Sequence, residues 1–423
     1  MRILVHGSQL LYPTNTGGRI RTSKLFERLS RHHDITWVCL RRPEETDQQV
    51  EAMRACCARI ETFPFLETPK FTPAFYRDLA RNLVSQHPFV VEKYFQPALR
   101  ARLAELLQPS NKGAPFDLLL CDFLQPSLNV LGLPFGPRVL FQHNVESVIF
   151  ERHYKELDLR KNPLRNGPAK AYLYLQWRKL LEYEGRAARW FDHNIMVSKQ
   201  DCATMAQLYG VTNTSPIPTG VDAEFFQPQP GAESAGHELV FTGSMDWLPN
   251  IDGITWFAKE VLPLVQRELP VKLWVVGRRP SPAVTELAAR HPGVIEVTGT
   301  VDDVRPFMAR SRVYLVPLRI GGGTRMKIYE AMAMAMPVVS TRIGAEGLPV
   351  TDDRDILLAD DPASFARRTV ELLRDEGRRR SLGAAGRRLV TENFSWESVA
   401  RRFGEICQGV VNATARGAAR GAA

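Results

Sequence analysis

No run of apolar residues in the chain approaches the ~18–20 that a membrane-spanning helix needs. The longest obvious ones, such as Leu118–Cys121 and Leu273–Val276, have the length of buried strands. The N-terminus opens on strand-like Ile3-Leu4-Val5. It lacks the basic stretch and long apolar core of a secretion signal, so no leader is expected and a cytoplasmic location is. Cysteine is scarce, six in all, at Cys39, Cys56, Cys57, Cys121, Cys202 and Cys407. None forms a C-x-x-C pair, which argues against a zinc site or a disulfide framework and for reduced, buried thiols.

What is present fits a folded protein of ordinary composition, 44% hydrophobic and 24% charged. At 423 residues the chain is too long for one compact core and suits two domains. The net charge of +9 is unevenly placed: residues 1–190 carry 28 Lys and Arg against 19 Asp and Glu, and the remainder 27 of each. A basic first half can attract anionic lipid or a phosphorylated acceptor, or be a solvated surface only. No nucleic-acid motif accompanies it, so no nucleic-acid partner is expected.

The dominant rhythm is a short apolar strand followed by a longer amphipathic stretch, which predicts parallel sheets covered by helices. Arg2–His6, Ile35–Leu40, Ile60–Phe63, Asp117–Cys121, Arg138–Phe141 and His193–Val197 read as strands of a first α/β domain, 1–215. Residues 64–116 carry prolines and aromatics without a clear period and read as an irregular helical insertion; 146–189 reads as a long helical excursion. Pro and Gly crowd 216–235, the expected linker. The alternation resumes over 236–393 with strands at Glu238–Phe241, Val271–Val276, Val294–Val297, Val313–Val316, Val338–Ser340 and Ile356–Leu358. A helix over 394–412 is expected to cross back to the first domain, its alternative being an ordinary amphipathic helix on the second; the Ala-, Gly- and Arg-rich residues 413–423 are expected to fray. The architecture that follows is two doubly wound, Rossmann-like domains facing a central cleft, with ligands beyond the carboxyl ends of the strands.

The segment richest in chemistry runs from Val316 to Ala333. A strand ends near Pro317, Gly321, Gly322 and Gly323 follow, and a helix begins near Thr324. Glycines allow close backbone approach to a ligand, and a helix start offers free N–H groups and a positive dipole end to an anion. Arg325 and Lys327 sit in that first turn, where cations oppose the dipole unless an anion is present. Lys327 and Glu330 share a helical face. The plainer reading is a flexible turn with two solvated cations and a Lys327–Glu330 pair. No Lys-Ser or Lys-Thr follows the glycines at phosphate-loop spacing, so neither a kinase nor an ATPase is suggested.

Two features of the first domain invite the same question. Gly17 and Gly18 open a helix after the first strand, which makes either an anion site or a tight turn. His143 follows the strand Arg138–Phe141 and so stands where ligands bind, although a lone histidine is more often structural. Asn144 and Glu146 come next: Asn144 suits an N-cap, and Glu146 either caps as well or touches an acceptor.

These segments resemble glycosyltransferase family 4. The resemblance rests on Gly321-Gly322-Gly323-Thr324-Arg325-Met326-Lys327 with Glu330-Ala331-Met332-Ala333, on Pro337-Val338-Val339-Ser340-Thr341 and on Gly344-Ala345-Glu346-Gly347-Leu348. It extends to Gln142-His143-Asn144-Val145-Glu146, Pro218-Thr219-Gly220-Val221-Asp222, Phe241-Thr242-Gly243-Ser244 and Pro249-Asn250, in order along nearly the whole chain. It implies a GT-B fold, a bacterial polysaccharide- or capsule-type activity, and retaining transfer from a nucleoside-diphosphate sugar with no metal or other cofactor. By the same resemblance Arg325 and Lys327 would hold the diphosphate, Glu330 the ribose hydroxyls, and backbone near Gly299 and Val301 the base. Gly17, Gly18, Ser244 and the Gly321–Thr324 run would complete the donor site, His143 would face the reacting sugar, and Asn144 and Glu146 would lie towards the acceptor. Many members carry two glutamates eight positions apart here; Gly322 stands at the first.

Fixed cations aimed at a departing diphosphate would lower the barrier to transfer. The expected acceptor is a saccharide or a lipid-linked saccharide, and the basic first half points to peripheral contact with an anionic membrane. Two readings compete: a sugar-nucleotide epimerase, and a catalytically silent sugar-nucleotide-binding subunit of a polysaccharide assembly complex.

Overall fold

The computed structural model describes residues 1–421 apart from 15, 110–114, 158–162, 230, 233–235 and 321–325. The chain divides into two compact units, Met1–Pro218 with Val399–Ala423, and Thr219–Ser398.

The first unit is built on a parallel seven-stranded sheet of order β3-β2-β1-β4-β5-β6-β7. Its strands are β1 (Arg2–Gly7), β2 (Asp34–Arg41), β3 (Arg59–Pro64), β4 (Leu118–Asp122), β5 (Arg138–Gln142), β6 (His193–Met196) and β7 (Thr214–Pro216). Central strands such as β4 are buried along their full length, which is why they read as unbroken apolar runs rather than alternating ones. The order reverses direction between β1 and β4, and in such sheets that switch opens a crevice at the carboxyl ends. β7 lay at the end of the expected domain without being expected as a strand. It is three residues long and ends in Pro216, tolerable because it is an edge strand.

The second unit repeats the plan with a parallel six-stranded sheet of order β10-β9-β8-β11-β12-β13. Here the strands are β8 (Glu238–Thr242), β9 (Lys272–Val276), β10 (Ile295–Gly299), β11 (Val313–Val316), β12 (Val338–Ser340) and β13 (Leu357–Leu358). The switch falls between β8 and β11. One apolar core, from Val221 to Phe394, fills this unit.

The irregular stretch 64–116 resolves into helices Pro73–Leu83, Phe89–Glu92 and Pro97–Leu106. The excursion after His143 is two helices, Glu146–Glu156 and Pro163–Trp190. The closing helix runs Trp396–Gly421, past the end expected at 412, so residues 413–421 continue it rather than fray. Alanine and arginine, which dominate that tail, are strong helix formers. From Val399 on, this helix belongs to the first unit. Phe403 packs edge-on against Phe26 and Phe141, at 6.3 and 5.2 Å between ring centroids. The six cysteines are free, and all but Cys202 are buried.

Candidate functional site

Each unit gathers polar side chains at the carboxyl edge of its sheet, beside its switch point. In the first unit they surround His143, the residue after β5. The imidazole is 4% exposed. Its Nε2 lies 3.2 Å from Asp122 Oδ1 and 3.4 Å from Thr22 Oγ1, and Arg21 approaches Nδ1 at 3.3 Å. A guanidinium can only donate, so Nδ1 accepts and Nε2 carries the hydrogen that Asp122 receives. Burial lowers the pKa of the ring; Asp122 opposes that and Arg21 reinforces it. A neutral imidazole follows.

The ring stacks on Phe123 at 3.8 Å and 17° between planes. Phe123 directly follows β4 in a left-handed conformation, φ 70°. Such a backbone costs about 1–3 kcal/mol in a non-glycine residue and persists only where surroundings impose it. Here its N–H donates to Phe141 O at 2.9 Å. On its other side lies Gly18, where a Cβ would come 2.8 Å from Phe123 Cζ. Gly18 therefore lets the aromatic ring wedge between the glycine turn and the histidine. Gly17 has open space at the corresponding position. The helix that they open, Gly17–Leu29, is capped by Thr16 Oγ1, which accepts from Arg19 N. Arg19 ties the turn down further, at 3.2 Å from Glu45 and 3.0 Å from Gln9 Oε1. Asp122 and Phe123 were not singled out from sequence; their position, the last residue of a buried strand and the one after it, was the available signal.

Asn144 is exposed and does not cap the next helix. The N-cap is Val145, which makes no side-chain cap bond. The fully buried Glu184, from the Pro163–Trp190 helix, replaces it. Glu184 accepts from Glu146 N at 2.9 Å, Ser147 N at 3.0 Å and the Tyr209 hydroxyl at 2.8 Å. Those free N–H groups and the positive helix end suit a carboxylate, although burial raises the Glu184 pKa. Glu146, also buried, is pushed up to about 7 by burial first and by Glu184 second. Because its pKa is raised above the unfolded value, its stabilising contribution is full below about pH 4.5 and is lost as pH rises through about 7. Glu146→Gln is therefore expected to stabilise the protein by about 1–3 kcal/mol near pH 8 and hardly at all near pH 5. Denaturant unfolding at the two pH values checks this, and equal effects at both would refute it.

The second unit's cluster begins at the end of β8. Ser244 Oγ donates to Asp246 Oδ1 at 2.7 Å and accepts from Arg278 Nε at 3.0 Å. Asn250 Nδ2 donates to Ser244 O at 2.8 Å, and Lys327 Nζ donates to Asn250 Oδ1, also at 2.8 Å. The ammonium lies 4.3 Å from the centroid of the Phe241 ring. Lys327 and Glu330 stand one turn apart on the Met326–Ala333 helix. Burial pushes Glu330 up to about 7, against the opposing pull of Lys327. The cluster depends on two backbones nearly touching: a Cβ on Gly277 would lie 1.7 Å from Gly243 O, and one on Gly243 would meet Asn250 Nδ2 at 2.6 Å and Lys327 Nζ at 2.9 Å. Gly299 ends β10 in a left-handed conformation, φ 70°, and its carbonyl accepts from Gly277 N at 3.2 Å. Gly243, Gly277 and Gly299 thus line up backbone along the carboxyl edge. Val301 is partly buried and packs on the core.

Gly321, Gly322, Gly323, Thr324 and Arg325 lie outside the described residues. The structure thus brings together Ser244, Lys327 and Glu330 with Asn250 and Arg278. The last was missed from sequence because nothing local to Val275-Val276-Gly277-Arg278 announces a partner 34 residues earlier. Among the described residues, no three His, Cys, Asp or Glu side chains are placed to share a metal ion, and no helix is long and apolar enough to cross a membrane.

Two family profiles match the chain: Glycosyltransferase Family 4 over residues 16–225, and Glycosyl transferases group 1 over 236–375. An uncharacterized 44.6 kDa protein in the cps region of Klebsiella pneumoniae is 22% identical over 409 residues, 94% of this chain and 97% of that one. A GDP-mannose-dependent alpha-(1-6)-phosphatidylinositol monomannoside mannosyltransferase of Mycobacterium tuberculosis is 26% identical over 212 residues, 46% of this chain and 55% of that one. Among solved structures, Anabaena HepE in complex with UDP and glucose superposes with a TM-score of 0.58 at 13% identity, covering 97% of this chain and all of that one. That likeness is one of fold.

Proposed function

From a chain that belongs to the GT-B glycosyltransferases of family 4, we propose retaining transfer of a sugar from a nucleoside-diphosphate sugar to a saccharide or lipid-linked saccharide, in polysaccharide or capsule synthesis. The observation that carries this reading is Lys327, held by Asn250 at the carboxyl edge of the second sheet beside the half-buried Glu330. Lys327 and Arg325 would take the diphosphate, and Glu330 the ribose hydroxyls. Arg278, exposed and bonded to Ser244, adds a second described cation to that edge beside Lys327. Charge that develops on the leaving diphosphate would then meet Lys327 and Arg278, held at that edge by Asn250 and Ser244, so the transfer would need no metal ion. The neutral His143, packed against Phe123, would face the reacting sugar, and Glu146 would lie towards the acceptor.

The match to a protein of a capsule region supports the polysaccharide role, and the match to a phosphatidylinositol mannoside transferase supports a lipid-linked acceptor. A cytoplasmic site with peripheral contact to an anionic membrane suits both. The test is release of free nucleoside diphosphate, with EDTA present, across a panel of sugar nucleotides and lipid-linked saccharides. Release that requires both donor and acceptor is expected. Tight nucleotide binding without release, for every pair, would instead identify a silent binding subunit.

A further inference from the structure

A cavity of about 1240 Å³ in the first unit lies between residues 65–93 and the two helices Glu146–Glu156 and Pro163–Trp190, and shares no lining residue with that unit's carboxyl-edge cluster. It exceeds the ~300–1,000 Å³ usual for a small-molecule pocket. Its wall is dominated by apolar side chains, among them Phe65, Phe71, Phe75, Phe89, Phe150 and Leu173. Two large apolar lining residues are left open to solvent, Leu66 at 82% and Phe71 at 74% exposure. Exposed apolar surface continuous with an apolar cavity marks a binding site more often than an accident of packing.

Two polar features narrow the occupant. Tyr172 lines the cavity, and its hydroxyl is buried with no hydrogen-bond partner among the described residues, an arrangement that costs free energy. By contrast, Gln176 is satisfied, donating to Asn82 Oδ1 at 2.7 Å and accepting from Phe89 N at 2.8 Å. At the rim, Lys70 and Arg81 are both lining and exposed, whereas the lining carboxylates are engaged: Glu67 by Arg42 and Lys93, Asp78 by Arg77 and Thr68, and Glu92 by Asn82 and Ser85. An apolar interior with a cationic rim complements an amphiphile with a hydrocarbon tail and an anionic head.

We propose that this cavity binds the hydrocarbon chain of a phosphate-linked lipid acceptor, with the phosphate at Lys70 and Arg81. The proposal rests on the reading of the acceptor as lipid-linked and adds the place where the lipid is held. Binding of one lipid molecule in the cavity is distinct from adsorption to a membrane surface.

The experiment titrates the full chain by calorimetry with geranylgeranyl monophosphate and with oleoyl lysophosphatidate, each below its critical micelle concentration. Inorganic phosphate and geranylgeraniol serve as head-only and tail-only probes. Saturable binding of one or both phosphate-headed probes is expected, and their order tells an isoprenoid from an acyl chain. Leu173→Trp and, separately, Ala169→Trp, which both fill the cavity, should weaken that binding by about tenfold or more. Lys70→Glu with Arg81→Glu should weaken the phosphate-headed probes and leave geranylgeraniol unaffected. Thermal melts establish that each variant is folded. A nucleoside-diphosphate thermal shift on the same preparations reports the donor site separately, so loss of lipid binding alone leaves the transferase reading standing. No binding of either phosphate-headed probe, or binding that both tryptophan variants keep unchanged while folded, overturns the proposal. So does attachment to anionic vesicles that the tryptophan variants do not alter, accompanied by no single-lipid binding.

Discussion

Replacing Lys327 with alanine is expected to lower kcat/KM by about 100- to 1,000-fold, the loss typical when one preorganised donor to a developing oxyanion is removed. The ammonium is positioned before any substrate arrives: Asn250 Oδ1 holds it at 2.8 Å, and the Phe241 ring lies beneath it. Asn250 is itself fixed by Ser244 O. A charge restrained in this way needs no reorganisation when the diphosphate departs, which is the source of its leverage. The structural cost should be small, because Lys327 is half-buried and Asn250, which it bonds, is neutral. Steady-state release of nucleoside diphosphate, with a thermal melt as control, measures both. A variant that melts normally and keeps turnover within about threefold of the parent would remove Lys327 from the chemistry.

The second large effect is expected from Gly277→Ala. A methyl group there would lie 1.7 Å from the carbonyl oxygen of Gly243. That neighbour is backbone at the end of β8, and β8 is hydrogen-bonded to β9 through five residue pairs from Glu238↔Lys272 to Thr242↔Val276, so it cannot swing aside as a side chain would. The two strand ends must part. Overpacking of this kind costs about 1–3 kcal/mol, occasionally more. Parting them also moves Gly243, whose immediate neighbours are Asn250 and Lys327, so donor binding should fall together with stability. Denaturant unfolding and nucleotide titration of the same variant test the linkage. Unchanged donor affinity alongside reduced stability would show that the glycine contact serves packing alone.

The sequence was informative wherever a local pattern has one physical meaning. The strand–helix alternation gave both sheets, because strands such as β4, apolar at nearly every position, can exist only with both faces covered. His143 could be named for the same reason: once a strand end is known, the residue after it is placed; Ser244 was named by the family resemblance alone. Long-range partners were not legible. Glu184 stands 38 residues from the N–H group of Glu146 that it caps, and no local pattern distinguishes it from any other glutamate on a long helix. The positive φ of Phe123 was equally hidden, since turn chemistry leads one to expect glycine or asparagine there. Residues 64–116 gave no period because their helices are short, and one of them, Pro73–Leu83, leaves Tyr76 and Leu83 exposed. The expected fraying of the tail gave weight to small residues, whereas alanine and arginine carried the closing helix to Gly421.

The most direct test of the donor site is a thermal-shift panel of nucleoside diphosphates against the parent chain, Lys327→Ala and Glu330→Ala, without added metal. A ligand that binds only the folded state at a hundred times its Kd adds about 2.7 kcal/mol of stability, enough to read as a clear rise in Tm. A rise with one base, lost in both variants, is the expected result. An equal rise in all three proteins, or none in any of them, would contradict a diphosphate and ribose site at Lys327 and Glu330.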